Sequence, residues 1–253
     1  MILNAQQFGE GRPLVILHGL LGSSDNWQTM ARRFADRFHV CALDLRNHGG
    51  SPHAGSMTLE ELADDVAETA AALKLERICL LGHSLGGKVA MTLALARPEL
   101  ADRLVVADIA PKAYTPRYVG LLKLLAGLDL STFRNRTEIV GELEPALPNL
   151  AFRQWLVKNL RTSAEGGLEW KVNLPGLLEN YPELTAALSG GRQFVGKTLL
   201  LRGGKSDYVG EADETATREL FPDLSVQTIA GAGHWLHAEA PDAFFEVCSR
   251  FLA

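Results

Sequence analysis

The sequence predicts an α/β protein with a mostly parallel central sheet that is wrapped by helices. Three observations lead to this prediction: short apolar runs recur along the chain, helical patterns separate most of them, and one long interval interrupts the alternation. Short, continuously apolar runs are typical of parallel strands that are buried on both faces. Strands that alternate with helices build a parallel sheet between helical layers.

Length, composition and charge favour one domain with an insertion over two unrelated domains. The chain has 253 residues, of which 47% are hydrophobic and 22% are charged. Its 25 Lys and Arg residues against 30 Asp and Glu residues give a formal net charge of −5. This mild acidity argues against a nucleic acid or an anionic membrane surface as a partner. The motifs described below predict a small-molecule substrate instead.

Targeting features and cysteine usage predict a cytoplasmic protein. No stretch approaches the roughly 20 consecutive apolar residues of a membrane span, so we expect no membrane segment. The N-terminal residues lack the basic and apolar regions of a secretory signal. The three cysteines, Cys41, Cys79 and Cys248, cannot all pair within one chain, and none lies in a CxxC motif. We therefore expect reduced thiols.

The predicted elements follow one another in a regular order. A first helix is indicated by apolar residues at helical spacing from Trp27 to Phe34. A capping box from Thr58 to Glu61 begins the next one, and Pro241 opens the last. The strands are predicted over residues 14–17, 40–45, 78–81, 104–109, 198–201 and 225–229.

Residues 111–197 form the interval that interrupts this alternation. They contain helical patterns over 118–125, 136–143 and 151–160 but no convincing core strand. An ordinary connection between a strand and a helix needs only a few residues. We therefore predict a core made of residues 1–110 and 198–253, with residues 111–197 as a helical insertion.

The most specific motif is the G-x-S-x-G pentapeptide Gly82-His83-Ser84-Leu85-Gly86, which lies between a predicted strand and a helix. In this setting the serine occupies a sharp, strained turn from which its hydroxyl projects. The two outer glycines let the strand and the helix approach each other closely. We predict that Ser84 is a catalytic nucleophile.

A serine hydroxyl needs a general base at neutral pH. His234, in Gly231-Ala-Gly-His234, follows the last predicted strand and is the predicted base. His237 is a rival candidate for this role. His48 and His83 are interpreted as scaffolding beside the site.

Acyl transfer also needs two N–H donors for the oxyanion that develops on the substrate. The residue after the nucleophile, Leu85, supplies one backbone N–H. The loop His18-Gly19-Leu20-Leu21-Gly22 follows an early predicted strand, and we predict Leu20 as the second donor.

A carboxylate must orient the histidine, and two aspartates fit this role. Asp108 ends one predicted strand, and Asp207 follows the next core strand. Both positions lie at the carboxyl ends of strands, where sheets of this kind bind ligands. The residues themselves leave the choice open.

Together, the segments around His18–Gly22, Gly82–Gly86 and Gly231–His234 resemble the α/β-hydrolase fold over nearly the whole chain. The resemblance narrows to the YbfF-type esterases because of further motifs, which are Asp44-Leu-Arg-Asn-His-Gly-Gly-Ser-Pro, Gly86-Gly-Lys, Asp108-Ile-Ala-Pro and Gly233-His-Trp. It implies hydrolysis of carboxylic esters or thioesters through Ser84 and His234, with the insertion as a lid. It also implies Asp108 as the acid, since some members lack an acid at the position of Asp207.

Other residues receive weaker interpretations. Trp155, Trp170 and Tyr181 of the insertion are candidate lining residues of an acyl pocket, although packing within the insertion also explains each of them. Lys88 is interpreted as a helix-surface lysine with a buried stem. The arginine pairs 32–33 and 134–136 fit solvated faces, with an acidic substrate group as the alternative.

The sequence thus predicts a serine esterase or thioesterase for short-to-medium acyl chains that needs no metal or cofactor. The same triad can also serve perhydrolysis, cofactor-free halogenation or carbon–carbon bond hydrolysis. A ligand-binding receptor with a vestigial site is a further alternative. Haloalkane dehalogenase and epoxide hydrolase chemistry is excluded, because it needs a carboxylate where Ser84 stands.

Overall fold

A computed structural model describes residues 1–188 and 191–253 of the chain. In this part the strands are β1 (Ala5–Phe8), β2 (Arg12–Leu17), β3 (Phe38–Leu43), β4 (Ile78–His83), β5 (Ala101–Ala107), β6 (Leu160–Thr162), β7 (Leu168–Trp170), β8 (Lys197–Gly203) and β9 (Leu224–Ile229). Seven of them form one sheet in the order β1-β3-β2-β4-β5-β8-β9. Every pair in this sheet is parallel except β1 with β3. The architecture confirms the predicted α/β class.

Helices connect and cover these strands. They are α1 (Gln28–Phe34), α2 (Leu59–Ala72), α3 (Leu85–Ala96), α4 (Val119–Ala126), α5 (Arg136–Glu142), α6 (Leu150–Leu156), α7 (Leu174–Thr185), α8 (Glu211–Leu220), α9 (Leu236–Glu239) and α10 (Pro241–Leu252). The predicted capping box begins α2, because Glu61 N–H donates to Thr58 Oγ1 and Thr58 N–H donates to the Glu61 carboxylate. Within the described residues, no helix has the length and apolar character needed to cross a membrane.

The sheet is buried on both faces, which explains the continuously apolar strands. In β2, Val15 and Leu17 belong to a core layer that includes residues of α2 and α3. Leu14 and Ile16 belong to the layer that includes residues of α1 and α10. Because successive residues of a strand point to opposite faces, neither face of β2 can be polar.

The sequence patterns missed the edge strand β1. Its residues, Ala-Gln-Gln-Phe, are exposed or half-buried and carry no apolar run. Its antiparallel pairing with β3 therefore depends on the sheet edge that β3 offers and not on burial of its own side chains.

Residues 111–197 contain α4 to α7 and the antiparallel hairpin of β6 and β7. The helical pattern predicted over 151–160 extends too far, because α6 ends at Leu156 and Leu160 begins β6. The first strand of the central sheet after Ala107 is β8, which begins at Lys197. The division into a core and an inserted lid, with the boundaries given above, stays a prediction.

Two buried imidazoles fix the loops that follow β2 and β3. His18 Nε2 accepts a hydrogen bond of 2.9 Å from Leu45 N–H, and His48 Nε2 accepts one of 3.2 Å from Leu21 N–H. Each Nδ1 lies within 2.9 Å of a carbonyl oxygen, at Gly19 and at Arg46 respectively. Both rings are therefore neutral with the proton on Nδ1, since Nε2 must accept. These contacts agree with the interpretation of His48 as scaffolding.

Burial makes these rings sensitive to acid. It lowers the pKa of His18, and it lowers the pKa of His48 to about 3. In the unfolded chain a histidine binds its proton near pH 6.5. Between pH 3 and pH 6.5 the unfolded state therefore binds more protons at His48 than the folded state does. The free energy of unfolding falls as the pH falls through this range.

We expect His48 alone to remove about 2 kcal/mol from the free energy of unfolding between pH 7.5 and pH 5, at about 1.4 kcal/mol per pH unit below 6.5. Urea unfolding at both pH values checks this for the wild type and for His48→Gln, whose amide oxygen can accept the Leu21 N–H. The variant should lose about 2 kcal/mol less stability than the wild type over this interval. His53→Gln, at an exposed position, serves as the control. An equal loss in all three proteins would contradict the assignment.

Candidate active site

Ser84 occupies a strained turn between β4 and α3. Its backbone has φ +54° and ψ −120°, a conformation that residues with a side chain rarely adopt. A Cβ atom on Gly82 would overlap the carbonyl oxygen of Gly86, and one on Gly86 would overlap that of Leu17. Larger residues at these two positions would therefore push the strand and the helix apart. The turn exists because both of its outer positions are glycine.

His234 and Asp108 lie in direct contact, although 126 residues separate them in the chain. His234 follows β9, Asp108 follows β5, and His234 Nδ1 lies 2.7 Å from Asp108 Oδ2. Asp108 is fully buried and has φ +54°. Its carboxylate also accepts hydrogen bonds from Gly203 N–H, at 2.9 Å, and from the Ser206 hydroxyl. The carboxylate thus holds the His234 proton on Nδ1 and leaves Nε2 free to accept another.

Asp207, the other candidate acid, lies in a different environment. Its carboxylate pairs with Arg117 at 2.8 Å, and the two side chains are 69% and 50% exposed. Asp207 makes no hydrogen bond to His234 in the part of the chain that the structure describes. Ser206, and not Asp207, turns toward Asp108 in this loop. The structure therefore brings Asp108 to His234 and leaves Asp207 at the surface.

Three further groups that sequence reasoning missed hold the His234 loop. The Tyr208 ring stacks on the imidazole with a centroid distance of 3.7 Å and an angle of 14°. The Glu239 carboxylate accepts hydrogen bonds from the N–H groups on both sides of His234, those of Gly233 and Trp235. Ser206 completes the set through Asp108. Two of these groups could have been found from the sequence, because Ser206 and Tyr208 flank the candidate acid Asp207 just after a predicted strand.

His83, which is buried, and His237, which is half-buried, lie beside this loop as neutral rings. His83 Nε2 donates a 2.8 Å hydrogen bond to the carbonyl oxygen of His234, and burial lowers the pKa of His83 well below its usual range. His237 stacks on Trp27 at 4.2 Å, and burial lowers its pKa to about 4. No described carboxylate pairs with His237, so it lacks the orienting group that His234 has.

The two predicted oxyanion donors have free N–H groups. Within residues 1–188 and 191–253, the N–H groups of Leu20 and Leu85 donate no hydrogen bond to the protein. Leu85 is the first residue of α3, where an N–H has no partner inside the helix. The loop of Leu20 is held by His48 through Leu21 N–H and by Asn159, whose Nδ2 donates to Leu21 O at 2.7 Å. Both donors are therefore available to a ligand oxygen.

Two cavities meet at Ser84. The first holds about 520 Å³ of empty space including its open mouth, and its lining includes His234. The second holds about 490 Å³, likewise including its open mouth. The side chain of Ser84 makes no hydrogen bond to His234 among the described contacts, but both residues line the first cavity.

The candidate pocket residues divide between these cavities. Trp155 lines the first cavity and Tyr181 lines the second. Trp170 lines neither of them and packs against the hydrophobic core, which agrees with the packing alternative given above. It lies in β7, where it pairs with Leu160 of β6.

Lys88 and the arginine pairs also have defined places. Lys88 is 1% exposed and lines the second cavity, so its interpretation as a surface lysine is wrong. Arg33 pairs with Asp242, and the Arg136 guanidinium donates to Leu160 O.

Among the described residues, no group of three or more His, Cys, Asp and Glu side chains could hold a metal ion.

Comparisons with known proteins identify hydrolases and esterases as relatives of this chain. The profile of the alpha/beta hydrolase family matches residues 14–247. Esterase YbfF of Escherichia coli strain K12 is 32% identical over 252 residues, which cover 98% of this chain and 96% of that protein. The sn-1-specific diacylglycerol lipase ABHD11 of Mus musculus is 34% identical over 248 residues, which cover 95% of this chain and 80% of that protein.

A solved esterase structure has the same fold as this chain. The structure, described as a marine microorganism esterase, has a TM-score of 0.96 and 37% sequence identity, and the match covers 99% of each chain. These similarities confirm the predicted α/β-hydrolase fold and the resemblance to YbfF-type esterases. The chain therefore belongs to the alpha/beta hydrolase family.

Proposed function

We propose that this chain, a carboxylic ester hydrolase, cleaves its substrates through a covalent acyl-enzyme on Ser84. His234 acts as the general base and Asp108 as the carboxylate that orients it. The observation that carries this proposal is the 2.7 Å hydrogen bond from His234 Nδ1 to the buried Asp108, next to a serine on a strained turn in the same cavity.

In the first half of the reaction, the Ser84 hydroxyl attacks the carbonyl carbon and gives its proton to His234 Nε2. The ring becomes an imidazolium, which Asp108 stabilises through Nδ1. His234 then passes the proton to the leaving oxygen, the acyl–oxygen bond breaks, and the alcohol departs. The same steps apply to a thioester, with a thiol as the leaving group.

The negative charge that develops on the substrate carbonyl oxygen needs donors already in position. The free N–H groups of Leu20 and Leu85 supply them in our proposal. His48 and Asn159 hold the Leu20 loop through Leu21, so this donor needs little reorganisation during the reaction. Loss of one such donor in other hydrolases costs about 10²–10³ in kcat.

In the second half, water replaces the alcohol and hydrolyses the acyl-enzyme. His234 Nε2 takes a proton from this water and returns it to Ser84 Oγ as the acyl–enzyme bond breaks. The products are a carboxylic acid and the free enzyme. We propose the cytoplasm as the compartment of this reaction, with residues 111–197 as a lid over the site.

We assign one half of the substrate to each of the two cavities. The leaving group must reach His234, so we assign it to the first cavity, which His234 lines. The acyl chain then occupies the second cavity, beyond Leu85 and Ile109. We propose short-to-medium acyl chains as its occupants, as the family resemblance implies.

Ser84→Ala should lower kcat for a soluble p-nitrophenyl ester by about 10⁶, as loss of the nucleophile does in other triads. A fluorophosphonate probe should label the wild type at Ser84 and leave the variant unlabelled. Ser225→Ala, an exposed position on β9, is the control and should behave like the wild type. Ester turnover also separates an esterase from a ligand-binding receptor. Labelling that survives in Ser84→Ala would refute the assignment.

Asp108→Asn should lower kcat by about 10⁴, because an amide favours the wrong tautomer of the imidazole. Asp207→Asn should leave kcat within about twofold of the wild type, because it removes only an exposed ion pair. Both variants are assayed with one soluble ester, and a double variant tests whether the two carboxylates replace each other. A collapse in Asp207→Asn alone would reverse the assignment.

The acyl preference is checked with p-nitrophenyl esters of increasing chain length. We expect efficient cleavage of the butyrate and poor cleavage of emulsified long-chain triglyceride. In the described part of the chain the exposed large hydrophobic residues are Ile2, Leu150 and Val195, which are too few for an oil–water interface. Strong activation at an oil–water interface would be the contrary result.

A further inference from the structure

Lys88 is a buried cation beside the nucleophile for which the mechanism has no use. It lies on α3, one turn after Ser84, and its N–H donates to the Ser84 carbonyl oxygen. Its side chain is among the largest fully buried ones in the described part of the chain. Both residues line the second cavity, which the proposed function assigns to the acyl chain.

The Lys88 ammonium lacks a counter-ion. Its Nζ donates to the carbonyl oxygen of Ala186 and lies 5.2 Å from the centroid of the Tyr114 ring. Among the described residues, no carboxylate forms an ion pair with it. An ammonium has three N–H donors, so two of them have no acceptor within residues 1–188 and 191–253.

This arrangement is costly unless something else compensates it. A buried charge is normally paired, because its removal from water costs several kcal/mol. Burial lowers the pKa of Lys88 to about 8, so most of the side chains still carry a proton at pH 7. The second cavity thus holds a positive charge with unused hydrogen-bond donors.

The other polar groups of the second cavity do not neutralise this charge. The Tyr181 hydroxyl accepts from Tyr118 N–H, and its own proton has no acceptor among the described residues. Arg117 adds a second cation, which Asp207 already pairs with at the surface. Asp108 does not line this cavity, and its carboxylate is occupied by the donors of its own network. The described lining of the second cavity therefore offers donors and positive charge, and it contains no carboxylate.

We propose that the second cavity binds acyl groups that end in a carboxylate, and that Lys88 recognises this carboxylate. The inference rests on the proposed function, because it assigns the acyl half of the ester cleaved by Ser84. The substrate class is then the half-ester or half-thioester of a short dicarboxylic acid. Hydrolysis adds one water, breaks the acyl–oxygen or acyl–sulfur bond, and releases the dicarboxylate and the alcohol or thiol.

Lys88 also has a structural contact that the test must separate from recognition. Ala186 is the C-terminal cap of α7, and a cation there stabilises the free carbonyl groups of the helix end. A purely structural lysine would affect every substrate alike. A recognition residue would affect acid-ended substrates much more than neutral ones.

The experiment compares kcat/KM for ester pairs of equal acyl length, measured as ethanol release. The pairs are monoethyl succinate with ethyl butanoate, monoethyl glutarate with ethyl pentanoate, and monoethyl adipate with ethyl hexanoate. For at least one pair, the wild type should prefer the acid-ended ester by roughly 30-fold, the size expected for a charge-assisted hydrogen bond. Lys88→Met should abolish this preference.

Lys112→Met is the matched control. Lys112 also lies 5.2 Å from the Tyr114 ring centroid, but it pairs with Asp213 and does not line the second cavity. This variant should keep the preference of the wild type. Equal losses on both members of a pair in Lys88→Met would overturn the inference and leave a structural lysine.

A second measurement needs no variant. The preference of the wild type should fall between pH 7 and pH 9.5 as Lys88 loses its proton, and a constant ratio would overturn the inference. Turnover of neutral esters with no preference at pH 7 would also overturn it, while the proposed function stands. If no ester in any pair is cleaved in a Ser84-dependent way, the proposed function itself fails.

Discussion

The buried carboxylate of Asp108 is the constraint on which the rest of the site depends. A charge without access to water must be surrounded by donors, and here three of them come from the end of one other strand and from the segments after two. Gly203 ends β8, Ser206 follows it, and His234 follows β9. The carboxylate therefore connects the loops at the carboxyl ends of these strands by hydrogen bonds. These hydrogen bonds also set the orientation of the imidazole.

Much of the backbone strain also lies in the loops at the carboxyl ends of the strands. Leu21, Asn47, Ser84 and Asp108 all have positive φ values, and each follows a strand of the central sheet. Such conformations cost of order 1–3 kcal/mol per residue in proteins generally. The two buried apolar layers on either side of the sheet offset this cost. The fold thus holds a strained site on a stable support, which keeps the reacting groups in place before substrate arrives.

Part of this structure could be predicted from the sequence because it depends on local patterns. Apolar runs predicted the parallel strands, and the glycines around Ser84 predicted a sharp turn, since both signals come from neighbouring residues. The choice between Asp108 and Asp207 depends on which side chain turns inward after a strand, and this is set by contacts between distant segments. The burial of Lys88 could not be predicted for a similar reason, because a helical pattern does not reveal where a cavity lies.

The hydrogen bond from Asn159 to Leu21 O has a consequence for efforts to alter specificity by exchanging segments between relatives. Asn159 belongs to residues 111–197, of which Phe152 and Trp155 line the first cavity, whereas Leu21 follows Leu20, the proposed oxyanion donor. A transplanted segment without an amide at this position would change the shape of the cavity and also release the loop. Chimeras would then lose rate for a reason unrelated to their new substrate, and a successful graft must carry the asparagine with it.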